Sequence, residues 1–297
     1  MADTPDSPVA STQLAEESAR DLAGRTFLVT GANTGIGRET VRVLAARGAE
    51  VYLAGRSEQK TRSAIDEIAA QTRNENLEFL ALDLGDLDSV RTCADAFLAT
   101  GRPLHVLINN AGLAGQRGIT KSGFELHFGT NHVGPFLLTS LLLERIAESA
   151  PARIVIVSSE GHYRVDGIDF DAVRSPTKTR TGFHEYCVSK LANVLHSQEL
   201  ARRLDGRGVT TYALHPGAVA SDIWRRVPQP ARSLITRRML TTELGAVTSL
   251  YCATSPAVAT ESGRYYTKCA AAEPNPAATP ELAELLWNRS AEWTGVG

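Results

Sequence analysis

The chain has 297 residues, with 31 Lys and Arg against 33 Asp and Glu, a formal charge of −2 and a hydrophobic fraction of 43%, the composition of an ordinary globular protein. A charge this near zero gives no general attraction to phosphate backbones or anionic bilayers, so no nucleic-acid partner is expected; no run reaches the roughly 18 apolar residues of a membrane span. The four cysteines, Cys93, Cys187, Cys252 and Cys269, lie far apart with no CxxC or Cys/His ligand spacing. That pattern argues against zinc and a disulfide framework; no metal is expected, and a reducing, cytoplasmic compartment is.

Residues 1–21 form a polar stretch without the basic start and apolar core of a signal peptide, and read as a disordered tail ahead of one domain over 22–297. From Arg25 onward, short runs rich in Val, Ile and Leu alternate with longer segments of helical period. The strands expected are Thr26–Thr30, Glu50–Gly55, 77–82, 104–109, 153–158, Val209–His215 and 264–266. Strand and helix in alternation predict a single-domain Rossmann-type α/β fold, a doubly wound parallel seven-stranded sheet with helices on both faces. The first helix is expected over 35–47, ended by Gly48. Two connections, 160–184 and 221–242, are long for a compact domain, and both leave strand C-terminal ends, where ligands bind in open α/β sheets.

Directly after the first strand comes Thr30-Gly31-Ala32-Asn33-Thr34-Gly35-Ile36-Gly37, a glycine-rich turn opening a helix. Glycines there let the backbone turn tightly against a pyrophosphate, whose charge the helix N-terminus favours. At the end of the second strand an NAD-selective site would place an acid to meet the ribose 2′-hydroxyl. The sequence instead reads Ala54-Gly55-Arg56, and Arg38 follows the glycine motif. Two guanidiniums suit a 2′-phosphate, so NADP(H) is the expected cofactor.

The ordered set TGANTGIG, NNAG at 109–112 and Tyr186-Cys187-Val188-Ser189-Lys190 resembles the short-chain dehydrogenase/reductase family over about residues 22–293. YCVSKLANVLHSQELARRL, GVTTYALHPGAVASDI and the late LLWNRS are similar to the retinol dehydrogenase subgroup. Hydride transfer to a carbonyl creates an alkoxide, so a proton must be delivered as the hydride arrives. Tyr186 offers the phenol, and Lys190, one helical turn on, is expected to lower its pKa by favouring phenolate. The resemblance implies that Lys190 and Tyr186 also meet the cofactor, that Ser159 holds the substrate oxygen, and that Asn131 supports a water relay to Lys190. It further implies cofactor contacts from Gly31, Asn33, Thr34, Gly35, Ile36, Gly37, Arg38 and Arg56, and from Asp83 and Leu84 beside the adenine. Asn109, Ala111 and Gly112 belong to the adenosine side, and Pro216, Gly217, Val219 and Ser221 to the nicotinamide.

The segment 221–242 mixes apolar residues with arginines and reads as a lid over a lipophilic carbonyl. Trp224 in it, and His162, Tyr163 and Phe183 flanking the 160–184 connection, are the candidate substrate contacts. Together these features predict an NADP(H)-dependent oxidoreductase acting on a lipophilic aldehyde, ketone or alcohol, retinal-like or medium-chain. A steroid or polyketide ketone reductase and a non-catalytic NADP(H)-responsive regulatory protein are the alternatives. Association as a homodimer or homotetramer is expected, without an integral membrane segment.

Overall fold

The computed structural model describes residues 21–219 and 240–296. Seven strands, β1 (Thr26–Thr30), β2 (Glu50–Gly55), β3 (Leu77–Ala81), β4 (Val106–Asn109), β5 (Ala152–Val157), β6 (Val209–His215) and β7 (Arg264–Thr267), run parallel in the order β3-β2-β1-β4-β5-β6-β7. The sheet has one strand more than the seven expected: β8 (Ala270–Ala272) folds back antiparallel on β7. Lys268 and Cys269 make the reversal with φ of 50° and 59°. Three alanines carry no β-branched or aromatic signal, so β8 is held by pairing rather than propensity.

Strands buried on both faces are mostly apolar, and all five residues of β1 are buried, Phe27, Leu28 and Val29 between two threonines. Phe27 and Val29 face Val41 and Leu44 of α1 (Gly35–Ala46), Ile68 of α2 (Glu58–Thr72) and Leu250 of α6 (Thr242–Thr254). Leu28 faces the other way, toward Val90 and Phe97 of α3 (Leu87–Ala99) and Leu137 and Leu142 of α4 (Gly134–Glu148). The long helix α5 (Phe183–Arg203) lies beside α4, and α7 (Pro280–Thr294) packs across both. α7 inserts Trp287 against Phe136 at 4.9 Å and His196 at 6.0 Å, while Trp293 meets Phe124 at 5.6 Å. The outer surfaces of α4 and α5 are thus covered by the chain's own last helix. Asp21, placed in the tail by composition, belongs to the domain: its carboxylate takes two hydrogen bonds from Arg47.

Because β1 and β4 are neighbours although three strands precede β4, the order reverses between them and opens a crevice at their C-terminal ends. The connection after β5 is not a bare loop; it contains 3-10 turns at Glu160–Arg164 and Ala172–Arg174. The ends of the 220–239 segment are clasped by a bridge between Val219 and Leu240, with the Leu240 N–H donating to the Ala218 carbonyl at 2.8 Å.

Candidate active site

The glycine turn is pinned from across the crevice. Thr30 Oγ1 accepts the N–H groups of Asn110 at 3.1 Å and Ala111 at 2.9 Å, and Asn110 Nδ2 donates to the Thr30 carbonyl at 2.8 Å. Gly31, at φ 64°, lies so near Ala111 that a Cβ would stand 2.9 Å from its Cα, and a Cβ on Gly37 would collide with the Gly31 carbonyl and with Asn110 Nδ2. The turn therefore tolerates no side chain at these two positions. α1 carries no acid in its first turn, so no side chain of that turn competes with an anion for its N-terminal N–H groups.

Asn33 and Gly55 adjoin each other, a Cβ on Gly55 standing 3.9 Å from Asn33 Oδ1, and the exposed Arg56 follows directly. Arg38 forms an exposed ion pair with Glu67 of α2. Asp83 folds over its own turn, Oδ1 accepting the Gly85 N–H at 3.0 Å, and Leu84 is buried. Asn109 corrects an expectation. Its side chain turns away from the crevice and donates to Thr139 Oγ1 of α4 at 2.9 Å, and Asn110 is the asparagine at the glycine turn. Ala111 lies against Gly31, and Gly112 beside Asn131 and Lys190. Beyond β6, Pro216 is followed by Gly217 at φ 90°, while Val219 packs near Ile36 around Gly245 of α6. Ser221, Trp224 and the lid expected over 221–242, apart from its last three residues, lie outside the described residues.

The tyrosine, lysine, serine and asparagine converge on the end of β5. Tyr186 and Lys190 share one face of α5, with Lys190 Nζ 5.7 Å from the Tyr186 ring centroid and donating to the Val157 carbonyl at 2.9 Å. Gly161 brings the turn after β5 onto Tyr186: a Cβ there would lie 3.2 Å from Tyr186 Cε1 and 3.6 Å from Ser159 Oγ. Ser158 points elsewhere, its hydroxyl donating to the Lys190 carbonyl at 2.7 Å, so Ser159 is the serine on the Tyr186 side. Asn131 sits in a π-helical turn, Gly129–Val133, a distortion found most often at functional positions. Its amide donates to Leu113 O at 3.1 Å and Ser189 Oγ at 2.9 Å, and its carbonyl accepts from Leu113 N at 2.9 Å. A Cβ on Gly112 would stand 3.4 Å from both Asn131 Oδ1 and Lys190 Nζ. The absent side chain lets the backbone after β4 come close to both the Asn131 amide and the Lys190 ammonium.

Burial shapes the titration of the pair. It pushes the Tyr186 phenol up to about 12, against hydrogen bonding from Ser159 that pulls it down. It lowers the Lys190 ammonium to about 8. The lowering of Tyr186 expected from Lys190 is not seen; desolvation dominates, and Tyr186 holds its proton at neutral pH. Cys187, beside it in sequence, is buried with its thiol pushed up to about 11, a packing residue rather than a nucleophile.

Of the expected substrate contacts, Phe183 is at the site, exposed and stacked on Tyr186 at 6.3 Å. His162 is not a substrate contact: it is fully buried, and both ring nitrogens are used, Nδ1 on the Ser159 carbonyl at 2.6 Å and Nε2 accepting the Asn275 N–H at 3.2 Å. The Tyr163 hydroxyl is committed to the Glu273 carbonyl at 2.5 Å. A cavity of about 390 Å³ opens on the other side of α5, lined by Phe128, Val165, Val173, His184 and Val188, and includes neither Tyr186 nor Ser159. The sequence reading passed over His215, the last residue of β6. Its Nδ1 accepts the Glu160 N–H at 3.4 Å, and burial and the nearby Lys190 hold its pKa below the usual imidazole value, while Glu160 opposes them. Its position beside Pro216 at a strand end was the available signal.

Residues 25–169 match the short chain dehydrogenase family model. Retinol dehydrogenase 12 of Homo sapiens is 47% identical over 279 residues, covering 93% of this chain and 88% of its own. Retinol dehydrogenase 11 of Homo sapiens is 44% identical over 283 residues, covering 94% and 88%. Among solved structures, an uncharacterized protein from Mycobacterium Paratuberculosis superposes with a TM-score of 0.75 at 31% identity, covering 95% of this chain and 97% of that one. No helix among the described residues is long and apolar enough to cross a membrane. By this crevice, this tyrosine–lysine helix and these likenesses, the chain belongs to the short-chain dehydrogenase/reductase family, on its retinol dehydrogenase-like side, and is an oxidoreductase of the kind that binds a nicotinamide cofactor.

Proposed function

We propose that the protein is an NADP(H)-dependent reductase of lipophilic aldehydes or ketones, retinal-like or medium-chain, reversible as an alcohol dehydrogenase. The observation that carries this reading is the meeting of Ser159, Tyr186 and Lys190 at the mouth of a glycine-lined crevice whose second strand ends in Arg56 rather than an acid. The relatives named for retinol support the substrate class. The exposed Phe183 beside Tyr186 adds an aromatic surface for an apolar chain. The four unpaired cysteines accord with a reducing, cytoplasmic setting.

When bound, the nicotinamide supplies the hydride. Ser159, whose Oγ already accepts the Gly161 N–H at 3.1 Å, keeps its hydroxyl fixed and holds the carbonyl oxygen beside Tyr186. Tyr186, protonated at neutral pH, donates its proton to the oxygen as charge develops there. Lys190 retains most of its charge at neutral pH and steadies the phenolate left behind. Asn131 holds the loop after β4 against α5, and so keeps the path to Lys190 in register. Arg56 meets the 2′-phosphate.

The test follows NADPH absorbance and identified products with retinal, medium-chain aldehydes, steroids and aromatic ketones, with Tyr186→Phe in parallel. Turnover that depends on Tyr186 and prefers retinal or medium-chain aldehydes supports the reading. Preference for steroids or bulky ketones replaces the substrate class. NADPH binding without product on any substrate favours a regulatory role, and full turnover by folded Tyr186→Phe refutes the mechanism.

A further inference from the structure

We propose that His162 and Asn275 are positioning residues for Ser159, and that the C-terminal loop 273–277 is part of the working site. The inference rests on the reading of Ser159 as the group that holds the substrate oxygen.

The turn that carries Ser159 is fastened from below by a chain of fully used polar groups. The Ser159 carbonyl accepts two N–H groups of His162, Nδ1 at 2.6 Å and the backbone at 3.1 Å. Nε2 of the same ring accepts the Asn275 N–H at 3.2 Å, so the ring proton must reside on Nδ1. Asn275 thereby sets the tautomer that His162 presents to Ser159. The Asn275 amide also donates to the His162 carbonyl at 2.5 Å and the Val165 carbonyl at 2.7 Å, and its Oδ1 accepts the Ala277 N–H at 2.9 Å. Both side chains are buried, and the Tyr265 ring packs on the imidazole at 4.6 Å, which fixes its plane. Burial keeps His162 below the ordinary imidazole value, so the neutral tautomer persists at working pH.

A fully buried corner of a fold is filled more cheaply by an apolar side chain, because every buried nitrogen must find a partner. Here both imidazole nitrogens lie on one line of hydrogen bonds, from the loop before α7 to the residue beside Tyr186. The geometry is unforgiving at the far end, since Gly161 leaves the turn in contact with the Tyr186 ring. Any shift of the turn moves Ser159 Oγ relative to the phenol. The same C-terminal stretch continues into α7, which packs on the helix bearing Tyr186 and Lys190. One continuous segment thus holds both halves of the site, Ser159 through Asn275 and Tyr186 through α7.

The experiment uses the full chain with retinal and NADPH and compares His162→Phe, His162→Asn, Ser159→Ala and the double variant His162→Phe/Ser159→Ala. His162→Phe is expected to lower kcat by about 10- to 100-fold, the scale of a reacting group misplaced by about an ångström, with the NADPH Kd from fluorescence titration unchanged. His162→Asn, whose amide nitrogen stands near the position of Nδ1, should recover most of that loss. In the Ser159→Ala background His162→Phe should cost nothing further, because the group it positions is gone. Equal losses in both backgrounds, or full turnover by His162→Phe, overturn the positioning role while leaving Ser159 in place. Wild-type turnover by Ser159→Ala instead overturns the reading of Ser159 itself. If His162→Phe does not yield folded protein, Asn275→Ser removes the amide donors and is held to the same double-variant criterion.

Discussion

Acidification should loosen the packing behind α5, through two histidines that the fold keeps neutral. His132, next to Asn131, and His196, on α5 beyond Lys190, are both buried and face each other edge-on at 5.6 Å. Their surroundings are Phe128, Phe136, Trp287 and the Ser290 hydroxyl, with no charged side chain among these contacts. Neither nitrogen of His196 meets a hydrogen-bond partner among the described residues. Burial lowers His196 to about 3 and His132 well below its ordinary value. An imidazole with a depressed folded pKa leaves stability intact above the unfolded value near 6.5. Below that value the unfolded chain takes up protons the folded chain refuses, and the loss is complete only below the folded pKa. At about pH 5 His196 then costs about 2 kcal/mol, from RT ln(1 + 10^1.5), and His132 adds a cost of the same sign. Urea unfolding at about pH 8 and pH 5, in wild type and His196→Leu, measures this directly. The variant should be within about 1 kcal/mol of wild type at the higher pH, since it exchanges unpartnered nitrogens for methyl groups. On acidification it should lose about 2 kcal/mol less than wild type. An identical loss in the two proteins refutes the assignment of the acid sensitivity to this pair.

Three further outcomes follow from the crevice and the site. Arg56→Ala should weaken NADPH about tenfold or more in a binding titration while barely changing NADH, the scale of a lost charge-assisted contact; equal changes dismiss the 2′-phosphate role. The kcat/KM for carbonyl reduction should fall as pH rises through about 8, where Lys190 loses its proton, and Lys190→Gln should be slow at every pH without that break. Gly37→Ala should reduce NADPH affinity by at least about tenfold, because its Cβ drives into the Gly31 carbonyl and Asn110 and displaces the pinned turn; unaltered affinity shows that the turn yields more easily than its geometry implies.

The sheet was legible wherever an apolar run had to be buried on both faces. β1, β2 and β6 begin and end where the sequence pattern says, because a strand between two helical layers is dominated by buried side chains along its length. β8 was invisible for the opposite reason: three alanines at an edge are recruited by a neighbouring strand and a tight reversal. Spacing alone puts Tyr186 and Lys190 on one face of a helix, while Ser159, expected beside them from the family resemblance, reaches them from the end of β5. The resemblance named Asn109, whereas Asn110 is the asparagine at the glycine turn. Adjacent residues at a strand end turn opposite ways, and the orientation is settled by Thr139 on one side and Thr30 on the other, contacts distant in sequence.

The same distinction explains why polar residues near the motif were the hardest to assign. Arg38 and His162 each lie within a few residues of a functional position, and proximity alone recommends both for ligand contact. What redirects His162 is a partner far along the chain, Asn275 before α7, whereas Arg38 only forms a surface ion pair with Glu67 of α2. A buried polar side chain must be paired, so its role follows from where its partner comes from rather than from its neighbours in sequence. For His162 that partner reaches from the C-terminal loop into the turn beside Tyr186. The substrate contact expected of this residue thereby gives way to support of the group that makes one. Sequence spacing can place the reacting groups of such a site, but the rigidity that makes them effective comes from long-range polar pairs, which only the folded chain brings together.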